Sequence, residues 1–378
     1  MRIGINLLSW VPGRRGGVET YNRNLLRALL ELETDDQFVV FLGQEAAGAL
    51  ALGSPRLEES LCPVRSRRRW ARARWEQTRF GAWVEQAGVQ VLYCPHSLLP
   101  ARCRVPLVQL IHDLQVFDLP QNFSALKRWY LYRRLPESAR RATRVVAISE
   151  FTRQSVVQHL GVPAERVTVI LEAAAPEFSP RPEAEIAELR RRYGVEGPYL
   201  LCLSTSHKHK QLDRLARVFG RLRAERGWTE RLVLGGLPGS GERELQAALA
   251  EAACGEAVCH LGRLPAETLP ALYSGAEGFI FPSCYEGFGL PVVEAMACGC
   301  PVASSSCGSL PEAAGDAALM FDATSEAELA AAVIRLVEEP ALRADLRERG
   351  LARTAQLSWA DTAARTLAVL HEAGQGRP

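Results

Sequence analysis

Short runs of apolar residues alternate with segments of helical period along almost the whole chain. In the first helical segment, Tyr21, Leu25 and Leu29 recur every four residues, as the apolar face of a helix does. Continuous apolar strands separated by helices indicate parallel sheets that are covered on both faces. We predict twelve strands, six in each half of the chain: Ile3–Leu8, Phe38–Leu42, Val89–Cys94, Leu107–Ile111, Val145–Ile148 and Val167–Leu171, then Tyr199–Leu203, Leu232–Leu234, Val258–Leu261, Phe279–Phe281, Val302–Ala303 and Leu319–Phe321.

The two series of strands are separated by a proline-rich segment, residues 176–182. Proline cannot continue the interior of a strand or helix, and three of these seven residues are proline, so we interpret the segment as an interdomain linker. The predicted domains, residues 1–175 and 183–357, are Rossmann-like doubly wound sheets of the α/β class that face a cleft. A final helix within residues 358–378 could pack on either domain, and a return to the N-terminal domain is one expectation.

Composition and charge exclude several classes of protein. The 378 residues suffice for two α/β domains of about 150–190 residues each. The net charge of +2 is too small to indicate a nucleic acid as partner. We find no signal peptide and no window of ~18 uncharged apolar residues. The scattered cysteines form no CxxC pair that would indicate zinc, and their aliphatic neighbours are typical of reduced thiols in a cytoplasmic protein.

The segment that follows Phe281 has the features of an anion-binding loop. A predicted strand ends at Phe281, and Gly289 then allows the backbone to approach a ligand closely. Pro291 suits the first turn of a helix, which we expect to end near Gly299. The backbone N–H groups at the start of such a helix bind anions, and a diphosphate would suit this site.

Two carboxylates, Glu286 and Glu294, lie eight residues apart on either side of that helix start. An ionised carboxylate only accepts hydrogen bonds, and it can accept two hydroxyls at once. The sugar at one end of a nucleotide diphosphate sugar and the ribose at the other both offer adjacent hydroxyls. The alternative is an ordinary connection between a strand and a helix, in which both glutamates face solvent.

The segment Glu286-Gly-Phe-Gly-Leu-Pro-Val-Val-Glu294 resembles the E-x7-E motif of the retaining glycosyltransferases of GT-B architecture, family four. The chain is similar to the mannosyltransferases of this group 1 family over nearly its whole length. The resemblance implies that Glu286 contacts hydroxyls of the donor sugar and that Glu294 contacts the ribose. It also implies that the backbone of Phe288, Gly289 and Leu290 lies near the sugar and the diphosphate.

Two N-terminal segments also resemble the family. Gly16 and Gly17 follow the first strand, where the family's loop approaches the diphosphate and the acceptor, and Gly17 would occupy the closest point. His112 follows the fourth strand, where the family keeps a histidine beside the donor sugar. Without the resemblance, the glycine pair would be interpreted as a flexible loop and His112 as a structural residue.

Lys210 matches the family lysine that pairs with the donor phosphate, and as a point charge it suits that role. The chain departs from the family beside it, because His209 and Ser204 stand where relatives usually have an arginine. Either Lys208 substitutes for that arginine or the diphosphate binds more weakly. A second departure is the segment Glu172-Ala-Ala-Ala175, where many relatives have an Asn-Gly-Val-Asp-like turn.

An arginine-rich amphipathic segment runs from Arg67 to Trp83. One hypothesis is a surface helix over Arg67–Arg79 that makes peripheral contact with a membrane and brings the enzyme to a lipid-linked acceptor. The alternative is a helix that packs Trp75 against its own sheet and leaves the arginines in solvent. Relatives often have a similar segment here, which favours an acceptor-side role for Trp75.

The resulting interpretation is a retaining hexosyltransferase. It would move a hexose or deoxyhexose from a nucleotide diphosphate sugar to a glycan or glycolipid hydroxyl, with His112 and Glu286 as catalytic residues. We expect no cofactor and no metal, since the sequence contains no Asp-x-Asp motif. Localisation would be cytoplasmic, with a peripheral position at the inner face of the membrane as an option. The alternatives are a nucleotide-sugar 2-epimerase of the same fold and a non-catalytic protein that binds sugar nucleotides.

Overall fold

The computed structural model describes residues 1–11, 17–95, 98–195, 197–251, 255 and 257–376. The chain divides into two compact units. The N-terminal unit comprises Met1–Glu172 and Trp359–Pro378, and the C-terminal unit comprises Ala173–Ser358. Each unit is built around one parallel sheet, as the apolar pattern predicts.

The N-terminal unit contains a seven-stranded parallel sheet with the strand order β3-β2-β1-β4-β5-β6-β7. Its strands are β1 Arg2–Asn6, β2 Gln37–Gly43, β3 Leu57–Cys62, β4 Val91–Cys94, β5 Leu107–Ile111, β6 Arg144–Ala147 and β7 Val167–Val169. The helices between them are α1 Gly17–Glu31, α2 Arg69–Thr78, α3 Phe80–Gln86, α4 Gln115–Asp118, α5 Ala125–Arg141 and α6 Glu150–Ser155, which a π-helical turn, Val156–Leu160, continues.

Strand β3 is absent from the predicted set because it lacks a continuous apolar run. Among the described strands it pairs with β2 alone, at one edge of the sheet, and most of its side chains are at least partly exposed. Its polar residues Glu58 and Glu59 suit an edge strand, which faces water along one side. The central strands β4 and β5 are buried at every residue, and the sequence identifies both. Strand β1 ends at Asn6, two residues before the predicted end.

The arginine-rich segment forms two helices, α2 and α3, instead of one continuous helix. The chain leaves helical geometry at Arg79, which has φ −125° and ψ −26° and separates them. Trp75 and Trp83 pack against the core of the N-terminal unit, whereas Trp70 is 82% exposed. The segment therefore uses two tryptophans for packing and presents a third to solvent.

The C-terminal helix, Trp359–Gly374, belongs to the N-terminal unit. Trp359 packs edge-on against Tyr21 of α1, with ring centroids 5.6 Å apart. Thr362 Oγ1 donates a hydrogen bond to the carbonyl of Leu171 at 2.8 Å. The end of the chain thereby braces the segment that follows β7.

The C-terminal unit contains a six-stranded parallel sheet with the order β10-β9-β8-β11-β12-β13. Its strands are β8 Tyr199–Leu203, β9 Arg231–Gly235, β10 Val258–His260, β11 Gly278–Phe281, β12 Val302–Ser305 and β13 Ala318–Phe321. Its helices are α7 Glu183–Tyr193, α8 Leu212–Arg226, α9 Glu242–Leu249, α10 Leu269–Ser274, α11 Leu290–Ala297, α12 Leu310–Ala314, α13 Glu326–Glu338 and α14 Pro340–Thr354.

The strand order reverses once in each sheet, between β1 and β4 and between β8 and β11. Doubly wound sheets bind ligands beside such a reversal, at the carboxyl ends of the strands. The loops that follow these strands are therefore the places where a ligand site is expected. Both sheets have the Rossmann-like order that the sequence predicts.

Candidate active site

The reversal in the C-terminal sheet brings together two loops that are distant in the sequence. The 3₁₀ turn Lys208–Lys210 follows β8, and the loop with Glu286 follows β11. The N–H of Cys284 donates to the carbonyl of His209 at 2.8 Å and so ties one loop to the other. The Ser309 hydroxyl donates to the carbonyl of Glu286 at 3.0 Å, which fixes the second loop from α12.

Lys210 and Glu286 form an ion pair in this site, between Nζ and Oε1. Each side chain is only 14% exposed, so water screens the pair less than it would at the surface. The Lys210 ammonium also lies 5.5 Å from the ring centroid of Phe281, within cation–π range. The residues predicted to bind phosphate and donor sugar therefore lie side by side.

Gly289 precedes helix α11 and has a conformation that favours glycine. Its φ is +111°, and a Cβ atom there would lie 2.6 Å from Cδ2 of Leu310. The helix starts at Leu290, Pro291 has no N–H, and the N–H of Val292 donates to the carbonyl of Gly289 at 2.9 Å, so the N–H of Leu290 is the first-turn donor that the helix itself does not use. The ring of Phe288 is buried, which leaves the backbone of this residue as the part that a ligand could contact.

Glu294 lies on α11 and is held by a residue that sequence reasoning did not identify. The hydroxyl of Tyr273, on α10, donates to Oε2 of Glu294 at 3.3 Å. Burial raises the pKa of Tyr273 well above its ordinary value, and the Glu294 charge adds to the effect, so the hydroxyl remains a donor. No local motif marks Tyr273, because the contact depends on how α10 packs beside α11.

The two residues that precede Lys210, Lys208 and His209, differ from it in charge or in partner. Burial, with the charge of Lys210 adding to it, lowers the pKa of His209 to about 3, so this imidazole is neutral at pH 7. The Lys208 ammonium contacts Oε1 of Glu244 at 2.8 Å on the surface. His209 therefore brings no charge that would replace the family arginine, and Lys208 is engaged with Glu244.

In the N-terminal unit, Gly17 is the first residue of α1 and is exposed. A Cβ atom at this position would meet no atom of the described residues within 4 Å, so these residues leave space beside the backbone. Gly16, the other predicted residue of this loop, lies outside the described residues. The proposed approach of Gly17 to a ligand stays a prediction.

His112 follows β5 and is partly buried beside the carboxylate of Glu172. Its Nδ1 lies 3.5 Å from Oε1 of Glu172. The other ring nitrogen, Nε2, is buried and has no hydrogen-bond partner among the residues that the structure describes. Tyr21 packs edge-on against the ring, with centroids 5.1 Å apart.

Trp75, the candidate acceptor-side residue, packs within the N-terminal unit. Its ring centroid lies 5.8 Å from that of Phe80 and 6.0 Å from that of Trp83. These contacts give Trp75 a structural role, and its acceptor-side role stays a prediction.

The described part of the chain contains neither a metal-binding cluster nor a membrane-spanning helix. No group of three or more His, Cys, Asp or Glu side chains is arranged to hold a metal ion there. No described helix has both the length and the apolar character needed to cross a bilayer.

The two sheets and the site in the C-terminal unit define a two-domain Rossmann-like protein of the GT-B class. Residues 186–353 match the family Glycosyl transferases group 1, and residues 15–177 match Glycosyltransferase Family 4. The chain is 32% identical over 277 residues to O-antigen chain mannosyltransferase B of Escherichia coli, covering 73% of this chain and 71% of that protein. The chain belongs to the group 1 glycosyltransferases of the family 4 type, which confirms the resemblance seen in the sequence.

Solved structures show the same fold. Sucrose-phosphate synthase from Thermosynechococcus elongatus has a TM-score of 0.77 at 19% identity, and the match covers 98% of each chain. HepE of Anabaena, solved in complex with UDP-glucose, has a TM-score of 0.75 at 20% identity, covering 98% of this chain and 100% of that chain. These matches confirm the predicted GT-B fold.

Proposed function

We propose that this glycosyltransferase is a retaining, metal-independent enzyme that uses a nucleotide diphosphate sugar as donor. The observation that carries the proposal is the Lys210–Glu286 pair beside the start of α11. A helix start and an ammonium group both attract a diphosphate, and electrostatic stabilisation of the developing charge commonly contributes most to catalysis of this kind. The HepE structure with UDP-glucose supports a donor of this class.

Each proposed donor contact has a distinct chemical task. Lys210 and the backbone N–H of Leu290 at the start of α11 bind the diphosphate, and the backbone of Gly17 approaches it. Glu286 accepts hydrogen bonds from hydroxyls of the donor sugar. Glu294, which Tyr273 orients, accepts hydrogen bonds from the ribose hydroxyls. When the diphosphate binds, Lys210 can turn from Glu286 to phosphate oxygens, which frees the carboxylate for the sugar. The role of His112 at the donor sugar rests on the family resemblance.

The proposed acceptor is a hydroxyl of a growing polysaccharide or of a glycolipid, and the donor sugar is a hexose or deoxyhexose. The name of the E. coli relative, an O-antigen chain mannosyltransferase, supports mannose and a polysaccharide product. A thermal-shift screen against UDP, GDP and dTDP tests the nucleotide. Transfer from the matching donor sugars tests the enzyme class, and conversion of the nucleotide sugar into its C2 epimer without transfer would favour a 2-epimerase.

We also propose peripheral contact with an anionic membrane, through a wider surface than Arg67–Arg79. On α5, Leu126 is 67% exposed and Trp129 is 59% exposed, next to several basic residues of the same helix. Arg134 of α5 donates to the side chain of Gln77 on α2 at 2.7 Å, so the two basic helices are neighbours. Exposed aromatic and aliphatic side chains among arginines suit the interface of an anionic bilayer.

Sedimentation with anionic vesicles tests this contact. Replacing Leu126 and Trp129 by glutamine should remove binding that persists at high salt, because that part depends on apolar insertion. Replacing Arg68, Arg72 and Arg79 by glutamine should remove the salt-sensitive part, which is screened within ~8 Å at physiological ionic strength. No binding of the unmodified protein at low salt would contradict the proposal.

A further inference from the structure

Glu172 is a buried carboxylate that the proposed donor contacts do not use. It is 3% exposed and lies shortly after β7. Removing an ionised carboxylate from water costs free energy unless partners compensate for it. The groups that surround Glu172 therefore indicate which side chain its negative charge acts on.

The carboxylate faces His112, with 3.5 Å between Oε1 of Glu172 and Nδ1 of the imidazole. On the opposite side of the ring, Nε2 is buried without a hydrogen-bond partner in the described part of the chain. Buried polar atoms in native proteins are nearly always hydrogen-bonded, so an unpaired Nε2 indicates a place for a ligand atom. One nitrogen thus faces the protein carboxylate, and the other remains available to substrate.

The aromatic residues beside this pair keep their own hydroxyls protonated. Tyr21, whose ring packs against His112 at 89°, shares a buried hydrogen bond of 2.8 Å with the hydroxyl of Tyr93. Burial raises the pKa of Tyr21, and the charge of Glu172 adds to that increase. Neither tyrosine is then an anion near pH 7, so the negative charge beside His112 comes from Glu172.

The backbone on both sides of the pair is fixed. Thr362 of the C-terminal helix donates to the carbonyl of Leu171 at 2.8 Å, one residue before Glu172. The carbonyl of His112 accepts a hydrogen bond from Thr152 Oγ1 at 3.4 Å. The facing arrangement of carboxylate and imidazole is therefore held by contacts outside the two side chains.

We propose that Glu172 is a positioning residue that selects the tautomer and orientation of His112. A carboxylate only accepts hydrogen bonds, so the ring nitrogen that faces it carries the proton. In its neutral form, His112 then presents the lone pair of Nε2, which can accept a hydrogen bond from a sugar hydroxyl. This inference rests on the proposed role of His112 at the donor sugar.

The departure from the family turn acquires a physical meaning in this way. The Asn-Gly-Val-Asp-like turn that the family resemblance implies would have an asparagine at the position of Glu172. An asparagine amide can either donate or accept, so it is compatible with both imidazole tautomers. A glutamate in its place fixes one tautomer, at the cost of a buried charge.

The tautomer can be measured directly, without activity, from the ring nitrogen shifts of protein labelled with ¹⁵N-histidine. The signals of His112 are those that disappear in His112→Gln. We expect Nδ1 to be the protonated nitrogen of neutral His112 in the unmodified protein. Glu172→Gln keeps the shape of the side chain but can also donate, so we expect it to populate the other tautomer. Protonation at Nε2 in the unmodified protein would overturn the inference, whether or not the variant folds.

Kinetics provide the second test. At metal sites, loss of the partner that fixes the tautomer of a ligating histidine costs about 10- to 100-fold in activity, and we take a loss of the same order for His112. We expect Glu172→Gln to lower kcat by that factor, to spare nucleoside diphosphate affinity, and to have no further effect in a His112→Gln background. Glu165→Gln, the same change at an exposed position of the N-terminal unit, is the matched control and should alter neither quantity.

The outcomes distinguish a failure of the inference about Glu172 from a failure of the proposed function. An equal loss of kcat from Glu172→Gln with and without His112 would show that Glu172 acts by another route and would overturn the inference. An unmodified protein that transfers no sugar from any donor would refute the proposed function. The nitrogen shifts would still decide the tautomer in that case.

Discussion

Glu294→Ala should weaken the binding of ribonucleoside diphosphates, because it removes the proposed acceptor for the ribose hydroxyls. A hydrogen bond to a charged group contributes about 1.5–3 kcal/mol. At 1.4 kcal/mol for each tenfold change, this corresponds to a loss of about 10- to 140-fold in affinity. The Tyr273 hydroxyl already orients one carboxylate oxygen, at 3.3 Å, so ribose binding needs little further ordering of Glu294.

The substitution also removes a partner of the buried Tyr273 hydroxyl. That loss affects the free and the bound protein alike, so it lowers the stability of the fold but largely cancels from the affinity. The ribose contact can therefore be isolated by a cycle in which Glu294→Ala is one change and removal of the 2′-hydroxyl from the ligand is the other. Such a cycle measures the coupling between two groups that touch.

Isothermal titration calorimetry gives the four affinities of this cycle. The unmodified protein should bind the 2′-deoxy nucleotide more weakly than the ribonucleotide, whereas Glu294→Ala should bind both equally. Glu286→Ala, the same change eight residues earlier, should keep the ratio of the unmodified protein. If the preference for the ribonucleotide survives in Glu294→Ala, the carboxylate does not bind the ribose and the assignment is wrong.

Further predictions concern the diphosphate and the two glycine loops. Transfer should survive EDTA, because Lys210 and the start of α11 can carry the diphosphate charge; loss on chelation that Mn²⁺ or Mg²⁺ restores would contradict this. Gly289→Ala should lower the melting temperature, since φ +111° and the 2.6 Å approach to Leu310 leave no room for Cβ. Gly17→Ala should leave the melting temperature unchanged and reduce turnover, so an unaltered turnover would remove Gly17 from the site.

The sheet architecture could be predicted because parallel strands covered on both faces are continuous apolar runs. Strands β5 and β8 coincide with their predicted ranges, and each is fully buried. Strand β3 could not be found in this way. It is an edge strand beside β2, and its polar residues interrupt the apolar pattern. The division of the arginine-rich segment into two helices at Arg79 also has no proline signal, and Gly81, two residues later, lies within the second helix.

The residues of the donor loop could be identified from the motif, but their contacts could not. Lys210 and Glu286 are 76 residues apart and meet because β8 and β11 are neighbours in the sheet. The contact of Tyr273 with Glu294 depends in the same way on the packing of two helices. The sequence did mark Glu172 as a departure from the family. Its contact with His112 could not be predicted, because it depends on β5 and β7 lying in one sheet.

The stereochemistry of the product tests the mechanism as a whole. An inverting transferase needs a general base at the acceptor hydroxyl, on the face opposite the leaving group. Glu286 is assigned to sugar hydroxyls, and His112, with Nδ1 facing Glu172, is assigned to the donor sugar, so neither is free to act as that base. In the retaining route, the bond from C1 of the sugar to the phosphate oxygen breaks. The new bond from C1 to the acceptor oxygen forms on the same face, and the departing phosphate oxygen takes the acceptor proton. An α-linked donor should therefore give an α-linked product, and His112→Ala should slow transfer severely while nucleotide affinity stays nearly unchanged. The one-bond carbon–proton coupling at C1 distinguishes α- from β-mannosides, and a β-linked product would mean that another residue of this chain acts as a base.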